Sequence, residues 1–286
     1  MSFKEHLKEK LKEKMDENYM ELLPSGFQNI GEIIIINLNS KLKNYKKIIG
    51  EAILELFPRI KTICNKKGII IGKYRKPQIE IIAGKKNTEA ITQEYGCYYK
   101  FDVRKTMFAK GNINERVRIA KQVNQNEIIL DMFAGIGYFT VPMAKLASPK
   151  IIYSIELNPV SFKYLNENIK LNKIQKKVQT IKGDCSKETL ALVKKLGRFA
   201  DRIVMGYLPP PKKFIKFAMR AIKKDGVMHY ETIMYEDKLK QETEENLALI
   251  KKEAKKQNLD VQLLSVNYVK AYRPKVNHYV LDVKII

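Results

Sequence analysis

Residues 127–137, Glu-Ile-Ile-Leu-Asp-Met-Phe-Ala-Gly-Ile-Gly, constrain the fold of this chain more than any other stretch. Ile128, Ile129 and Leu130 form a short apolar run that ends at an acid, Asp131, and glycines follow at 135 and 137. A helical pattern comes next, with Phe139, Val141, Met143, Ala144 and Leu146. A buried strand, a glycine turn and a helix open a nucleotide-binding βαβ unit. Glycines there permit positive φ and let a ligand approach the backbone, and the helix start presents free N–H groups. No third glycine stands at the dinucleotide spacing, which argues against NAD or FAD. The phosphate-loop pattern G-x-x-x-x-G-K-[ST] is absent, which excludes a P-loop nucleotidase.

Two later acids extend the pattern. The run Lys-Ile-Ile-Tyr-Ser-Ile-Glu-Leu over 150–157 reads as the next strand, with Glu156 near its tip, where a carboxylate can accept from both ribose hydroxyls of a nucleoside. The third strand, over 178–181, runs into Gly183, Asp184 and Cys185, which places an acid to accept from an adenine amine. Asp131, Glu156 and Asp184 are then expected together at the carboxyl edge of one parallel sheet.

Strands and helices alternate from residue 127 onward. Strands are expected over 128–131, 151–156, 178–182, 201–206, 226–233, 260–269 and 277–285, and helices over 138–147, 159–172, 187–196, 211–223 and 236–257. The last two strands have no helix between them and read as an antiparallel hairpin. A helix over 111–121 precedes this unit, capped by Asn112 or Asn114. Residues 1–95 read as a smaller α+β domain and residues 96–286 as the nucleotide domain. In the first, a helix is expected over 5–21, a strand over 30–38, a helix over 45–56 and a short strand over 60–64. A hairpin is expected from 69–74 and 78–83, a polar connection over 84–94, and strand or extended chain over 95–103.

Lys and Arg number 54 against 31 Asp and Glu, a formal charge of +23. That excess implies a polyanionic partner, with nucleic acid first, and disfavours a protein substrate. Cys64, Cys97 and Cys185 are scattered, which argues against a disulfide framework or zinc site and fits a reducing cytosol. No metal is expected. The charged start has no signal-peptide apolar region, and no run of about 18 apolar residues suggests a membrane span.

The strand order resembles that of the class I S-adenosylmethionine-dependent transferases, a Rossmann-like α/β fold with a seven-stranded, mostly parallel sheet. A more specific likeness lies in residues 98–118 (Tyr-Tyr-Lys-Phe-Asp-Val-Arg-Lys-Thr-Met-Phe-Ala-Lys-Gly-Asn-Ile-Asn-Glu-Arg-Val-Arg), followed by the glycine turn. This resembles the archaeal and eukaryotic family that modifies the guanosine at position 37 of tRNA, and the likeness covers about residues 25–286. One branch methylates guanine N1. The other transfers the 3-amino-3-carboxypropyl group of S-adenosylmethionine to a tricyclic wyosine precursor. The methyl branch carries Asn-Leu-Pro after the fourth strand of the nucleotide domain. Here the segment is Met205-Gly206-Tyr207-Leu208-Pro209-Pro210-Pro211, with glycine in place of that asparagine. Phe108-Ala109-Lys110-Gly111-Asn112 is similar to the F-[SA]-x-G-N of the aminocarboxypropyl branch.

The resemblance therefore implies aminocarboxypropyl transfer, with N1 methylation as the alternative. It implies S-adenosylmethionine at Asp131, Gly135, Gly137, Glu156, Asp184 and Cys185. Arg116, paired with Glu115 in the family pattern, is expected to hold the arm's carboxylate bidentately. Met107, Phe108 and Ala109 would wall that arm. Tyr207 and Pro209 would shape the acceptor pocket, with Tyr207 able to stack on a flipped base. Lys73, Arg75 and Arg273, in segments that interleave basic and aromatic residues, are expected on the anticodon-loop region of tRNA. Asp201, His229 and Glu231 are the candidates for a general base. A monomer in the cytoplasm is expected. A rival from another class, a non-enzymatic RNA-binding protein on a degenerate transferase fold, has the intact acids and glycines against it.

Overall fold

The computed structural model describes residues 1–286 apart from Ile69, Lys73 and the Lys110 side chain. The chain divides into two units.

The first unit comprises residues 1–93 and 98–108. It opens with helices α1 (Phe3–Leu11) and α2 (Glu17–Met20), then strands β1 (Gln28–Ile30) and β2 (Ile33–Ile36). Helix α3 (Lys46–Leu56) leads to β3 (Thr62–Lys66), β4 (Ile79–Gly84), β5 (Glu89–Glu94) and β6 (Cys97–Asp102). The first four strands form a sheet in the order β1-β2-β3-β4, and β5 and β6 form a two-stranded ribbon. Strands β2 and β3 are parallel, with α3 between them in sequence, as a parallel pair requires.

Several expected elements are corrected here. The helix expected over 5–21 is two pieces. Leu7, Leu11, Met15 and Met20 are buried as their stripe implied, but Asp16 adopts extended backbone and accepts a 2.9 Å hydrogen bond from Tyr45 Oη. The strand expected over 30–38 is a hairpin, because Gly31 turns the chain at φ 56°. A Cβ there would lie 2.7 Å from the Ile91 carbonyl oxygen. Strand β4 pairs with β3 and not with a hairpin arm over 69–74. Among the described residues of that arm, the pairing is a single bridge between Ile71 and Lys76. The connection expected over 84–94 contains β5.

The second unit comprises residues 94–97 and 109–286. Its elements are α4 (Ile113–Lys121), β7 (Ile128–Asp131), α5 (Thr140–Leu146), β8 (Ile151–Glu156), α6 (Pro159–Leu171), β9 (Val178–Lys182) and α7 (Cys185–Leu196). Strand β10 (Ala200–Met205), α8 (Ile215–Ala221), β11 (Ile222–Tyr235), α9 (Leu239–Lys255), β12 (Val261–Arg273) and β13 (Val276–Ile285) complete it. The sheet runs β12-β13-β11-β10-β7-β8-β9. Only β13 is reversed: it is antiparallel to both neighbours, and the remaining pairs are parallel. This is the mostly parallel seven-stranded sheet with a terminal hairpin that the sequence implied. Strand β7 lies inside the sheet, with Ile129 and Leu130 fully buried, so an apolar run is what that position requires.

Candidate active site

The turn between β7 and α5 is held on three sides. Met132 N–H donates to the Val204 carbonyl of β10 at 3.1 Å, and Ala134 N–H to the Ile155 carbonyl of β8 at 2.9 Å. Asn168 of α6 donates to the Ile136 carbonyl at 2.9 Å. Gly135 and Gly137 take φ of 60° and 99°, and a Cβ on Gly135 would meet the Tyr138 ring at 2.4 Å. Positive φ and close packing thus both require glycine at 135 and 137.

Asp131 is fully buried. Its carboxylate accepts from Thr140 Oγ1 at 2.7 Å, and that hydroxyl also lies 2.8 Å from Ser154 Oγ. Burial pushes the Asp131 carboxyl up to about 7 against the hydrogen bonds from Thr140 and Phe133. Asp131 fastens the turn to α5 from below. Glu156, at the tip of β8, accepts from Gly135 N–H at 2.7 Å and from Asn158 N–H at 2.6 Å. Burial raises its carboxyl, and the two amides oppose that shift. Asp184 caps α7, accepting from Ser186 N–H at 3.0 Å. Gly183 N–H bonds the Glu156 carbonyl at 3.1 Å, which ties the second and third acids to one edge. Cys185 follows Asp184 as a buried residue whose thiol is pushed up by burial.

Arg116 on α4 is 3% exposed. Its Nη1 bonds Glu94 Oε2 at 2.5 Å and its Nη2 the Ala109 carbonyl at 2.8 Å. The guanidinium also lies 5.1 Å from the Tyr138 ring centroid, within cation–π range. Glu94 and Tyr138 carried no signal in the sequence, because only the fold brings them to Arg116. Glu115 turns elsewhere and pairs with Arg118 at 2.7 Å. Met107 and Phe108 belong to the first unit. There, Phe108 stacks on Phe101 with centroids 4.6 Å apart, and Met107 Sδ receives a 3.8 Å contact from Arg75.

After β10 the chain passes through Gly206 and Tyr207, and the Leu208–Pro209 peptide is cis. Tyr207 packs on Phe133 of the glycine turn at 5.2 Å, and Phe133 on Phe214 at 5.2 Å. Pro209 is exposed. Gly206 is fixed by packing: a Cβ there would lie 2.6 Å from the Phe139 ring.

Two of the three candidate bases are corrected. Asp201 lies near the start of β10, at the opposite edge of the sheet. It accepts from Ile128 N–H at 2.7 Å and pairs with Lys223 at 2.8 Å. His229 is fully buried. Its ring contacts Arg202 and Asp282, each at 2.7 Å, and burial holds it below its usual range although Asp282 pulls it up. A ring engaged at both nitrogens has no site for a substrate proton. Glu231 lies at the carboxyl edge.

Arg273 is exposed, 5.9 Å from the Tyr235 ring centroid, and donates to Tyr235 Oη at 3.3 Å. Tyr268 and Tyr272 are exposed on the same strand. Arg75 takes φ 52°. Lys73 lies outside the described residues. Among the described residues, no helix is long and apolar enough to cross a membrane.

The family description "TRM5/TYW2 methyltransferase domain" matches residues 90–262, and "TYW2 N-terminal domain" matches residues 7–88. The chain belongs to the TRM5/TYW2 family. It is 38% identical to the tRNA(Phe) (4-demethylwyosine(37)-C(7)) aminocarboxypropyltransferase of Methanocaldococcus jannaschii, over 90% of this chain and 97% of that protein. Among solved structures, P. horikoshii TYW2 in complex with MeSAdo superposes with a TM-score of 0.84 at 31% identity, covering 99% of each chain. The complex of aTrm5 with tRNALeu superposes with a TM-score of 0.78 at 30% identity, covering all of this chain and 80% of that one. The chain thus superposes on solved structures of both TYW2 and Trm5.

Proposed function

We propose that this chain transfers the 3-amino-3-carboxypropyl group of S-adenosylmethionine to the C7 carbon of 4-demethylwyosine at position 37 of tRNA, releasing methylthioadenosine. The observation that carries the reading is the TYW2 N-terminal domain over residues 7–88. The alignment along 97% of an aminocarboxypropyltransferase supports it, as does glycine at 206. The glycine turn suits the donor, since its positive φ values keep side chains away from the edge where Glu156 and Asp184 sit. When bound, S-adenosylmethionine supplies the electrophilic carbon and a neutral thioether leaving group.

The protein's share is positioning and charge placement. Gly135 and Gly137 admit the donor to the backbone, and Glu156 takes the ribose hydroxyls. Asp184 and Cys185 border the adenine, and Asp131 keeps the turn rigid. Arg116 orients the Ala109 carbonyl beside the arm and offers its charge to the arm's carboxylate. Tyr207 and Pro209 face the acceptor ring. Arg75, Lys73 and Arg273 contact the anticodon-loop region, consistent with the +23 charge. The protein acts as a cytoplasmic monomer.

The test is mass spectrometry of hypomodified tRNA incubated with the protein and S-adenosylmethionine. An added aminocarboxypropyl fragment supports the reading. An added methyl group replaces it with the methyl branch, and unchanged tRNA favours a pure RNA-binding role.

Glu156→Ala is expected to weaken methylthioadenosine binding at least about tenfold. A charged acceptor for ribose hydroxyls is worth roughly 1.5–3 kcal/mol. An unchanged dissociation constant by calorimetry would remove Glu156 from the site.

A further inference from the structure

Met205 of β10 is in register with Tyr230 of β11. Glu231 is therefore level with Gly206, just beyond the end of β10 on the carboxyl edge. Its Oε1 lies 3.7 Å from where a Cβ on Gly206 would sit. Glu231 is 4% exposed, and Oε1 accepts no hydrogen bond. Its Oε2 lies 3.3 Å from Nε2 of His278 on β13, a fully buried ring whose nitrogens also make no hydrogen bond. Asn112 Oδ1 is a further buried acceptor without a donor. It neighbours Gly111, where a Cβ would meet the Lys270 side chain at 3.0 Å. Burial and the charge of Arg116 hold the Lys270 ammonium below its usual range, and Glu231 pulls it up. Lys270 thus senses both Arg116 and Glu231.

Buried acceptors without donors are uncommon, because the lost hydration is not repaid. Of those among the described residues of the second unit, Glu231 Oε1 is a carboxylate oxygen and lies on the carboxyl edge. We propose that Glu231 is the general base that takes the proton the acceptor ring loses on transfer. The proposal rests on the aminocarboxypropyl reading above. In that reaction the ring carbon forms a bond to the γ-carbon of the arm. The carbon–sulfur bond breaks, and its electron pair stays on sulfur as methylthioadenosine leaves. The ring is then cationic and carries one hydrogen too many at the bonded carbon. Oε1 of Glu231 takes that hydrogen as a proton, the carbon–hydrogen pair restores the ring, and the carboxyl later returns the proton to water. His278 Nε2 stands 3.3 Å from Oε2, which leaves Oε1 as the carboxylate oxygen without a partner. An asparagine at 206 would have to displace the Phe139 ring, 2.6 Å from where its Cβ would sit, and would come beside Oε1.

Glu231→Gln keeps the shape of the side chain and removes its basicity. Calorimetry with methylthioadenosine should give an affinity within about twofold of wild type, because the adenosine contacts lie elsewhere. Single-turnover transfer to tRNA should slow by about 100-fold or more, the usual share of a positioned base. Acceptor tRNA deuterated at the reacting carbon should then show a primary isotope effect that wild type lacks, since proton loss has become the slow step. Glu231→Asp should recover part of the rate. A Glu231→Gln rate within about threefold of wild type, or no isotope effect in the slowed variant, overturns the assignment. So does an S-adenosylmethionine affinity that falls as far as the rate, which would make Glu231 a holder of the arm's ammonium. If wild type yields methylated tRNA, the reaction assignment fails. If it yields the aminocarboxypropyl product and Glu231→Gln does so equally fast, only the base assignment fails.

Discussion

Asp282→Ala is expected to lower the unfolding free energy by about 3–5 kcal/mol, the usual result of removing one member of a buried charge network. Asp282 is 2% exposed. Its carboxylate bonds His229 Nδ1 at 2.7 Å and Arg118 at 2.6 Å and 3.0 Å. It also accepts from Gln122 and Ser265, each at 3.2 Å. His229 continues to Arg202, and Arg202 to Glu127 at 2.8 Å. One buried chain of charges therefore fastens α4 to β13, β11 and β10. Alanine would leave a guanidinium without its carboxylate and a buried imidazole without its partner.

The same network has a defined pH dependence. Burial opposes ionisation of Asp282, but His229 and Arg118 overcome it and hold the carboxyl well below the usual range. His229 is also held down, by burial, from its ordinary 6.5. Both folded values are depressed, so both contributions are complete above the unfolded values and are lost as pH falls. Wild-type stability from this source should erode first below about 6.5, as the unfolded imidazole protonates, and again below about 3.9. Urea midpoints for wild type and Asp282→Ala at neutral pH check the magnitude. A loss under about 1 kcal/mol would mean that water enters and replaces the carboxylate.

This network shows what the sequence could and could not convey. Strands β7 and β8 matched their expected bounds, because a strand inside a parallel sheet must be a short apolar run. An acid at 282, inside Tyr-Val-Leu-Asp-Val, was a readable signal, since a charge in such a strand is paired. Its partners were not readable: Arg118 and His229 lie 164 and 53 residues away and meet it only through sheet order. The first unit was less legible for a related reason. Strand β5 is polar, with only Ala90 and Glu94 buried, so it carried no apolar run. The break between α1 and α2 is set by the Tyr45–Asp16 bond, a tertiary contact. Strand-end position placed Glu156 and Asp184 at the carboxyl edge of the sheet, where the structure has them. It said nothing of the Thr140 and Ser154 hydroxyls around Asp131, or of Glu94 against Arg116.

Arg116 separates structural from chemical work at the site. Arg116→Ala is expected to destabilise the protein by about 3–5 kcal/mol, because the Glu94 side chain is only 7% exposed and would lose its guanidinium. That variant reports stability alone. Arg116→Lys keeps the charge and gives up the planar fork, so it can reach Glu94 or the Ala109 carbonyl with less fixed geometry. Its stability should fall by less than that of the alanine variant. Turnover should fall about 10- to 100-fold, with S-adenosylmethionine affinity reduced less, because the adenosine contacts proposed for Glu156 and Asp184 remain. Methylthioadenosine lacks the carboxylate, so its binding should be almost indifferent to the change. Equal losses for both ligands would mean that Arg116 supports the wall through Ala109 and never meets the carboxylate. Glu94→Gln provides the converse comparison. It keeps an acceptor for Nη1 but removes the charge that neutralises the guanidinium, so a carboxylate-binding Arg116 should then hold S-adenosylmethionine at least as tightly as in wild type. Weaker S-adenosylmethionine binding in Glu94→Gln, with methylthioadenosine unaffected, would show that the ion pair itself sets the geometry the arm requires.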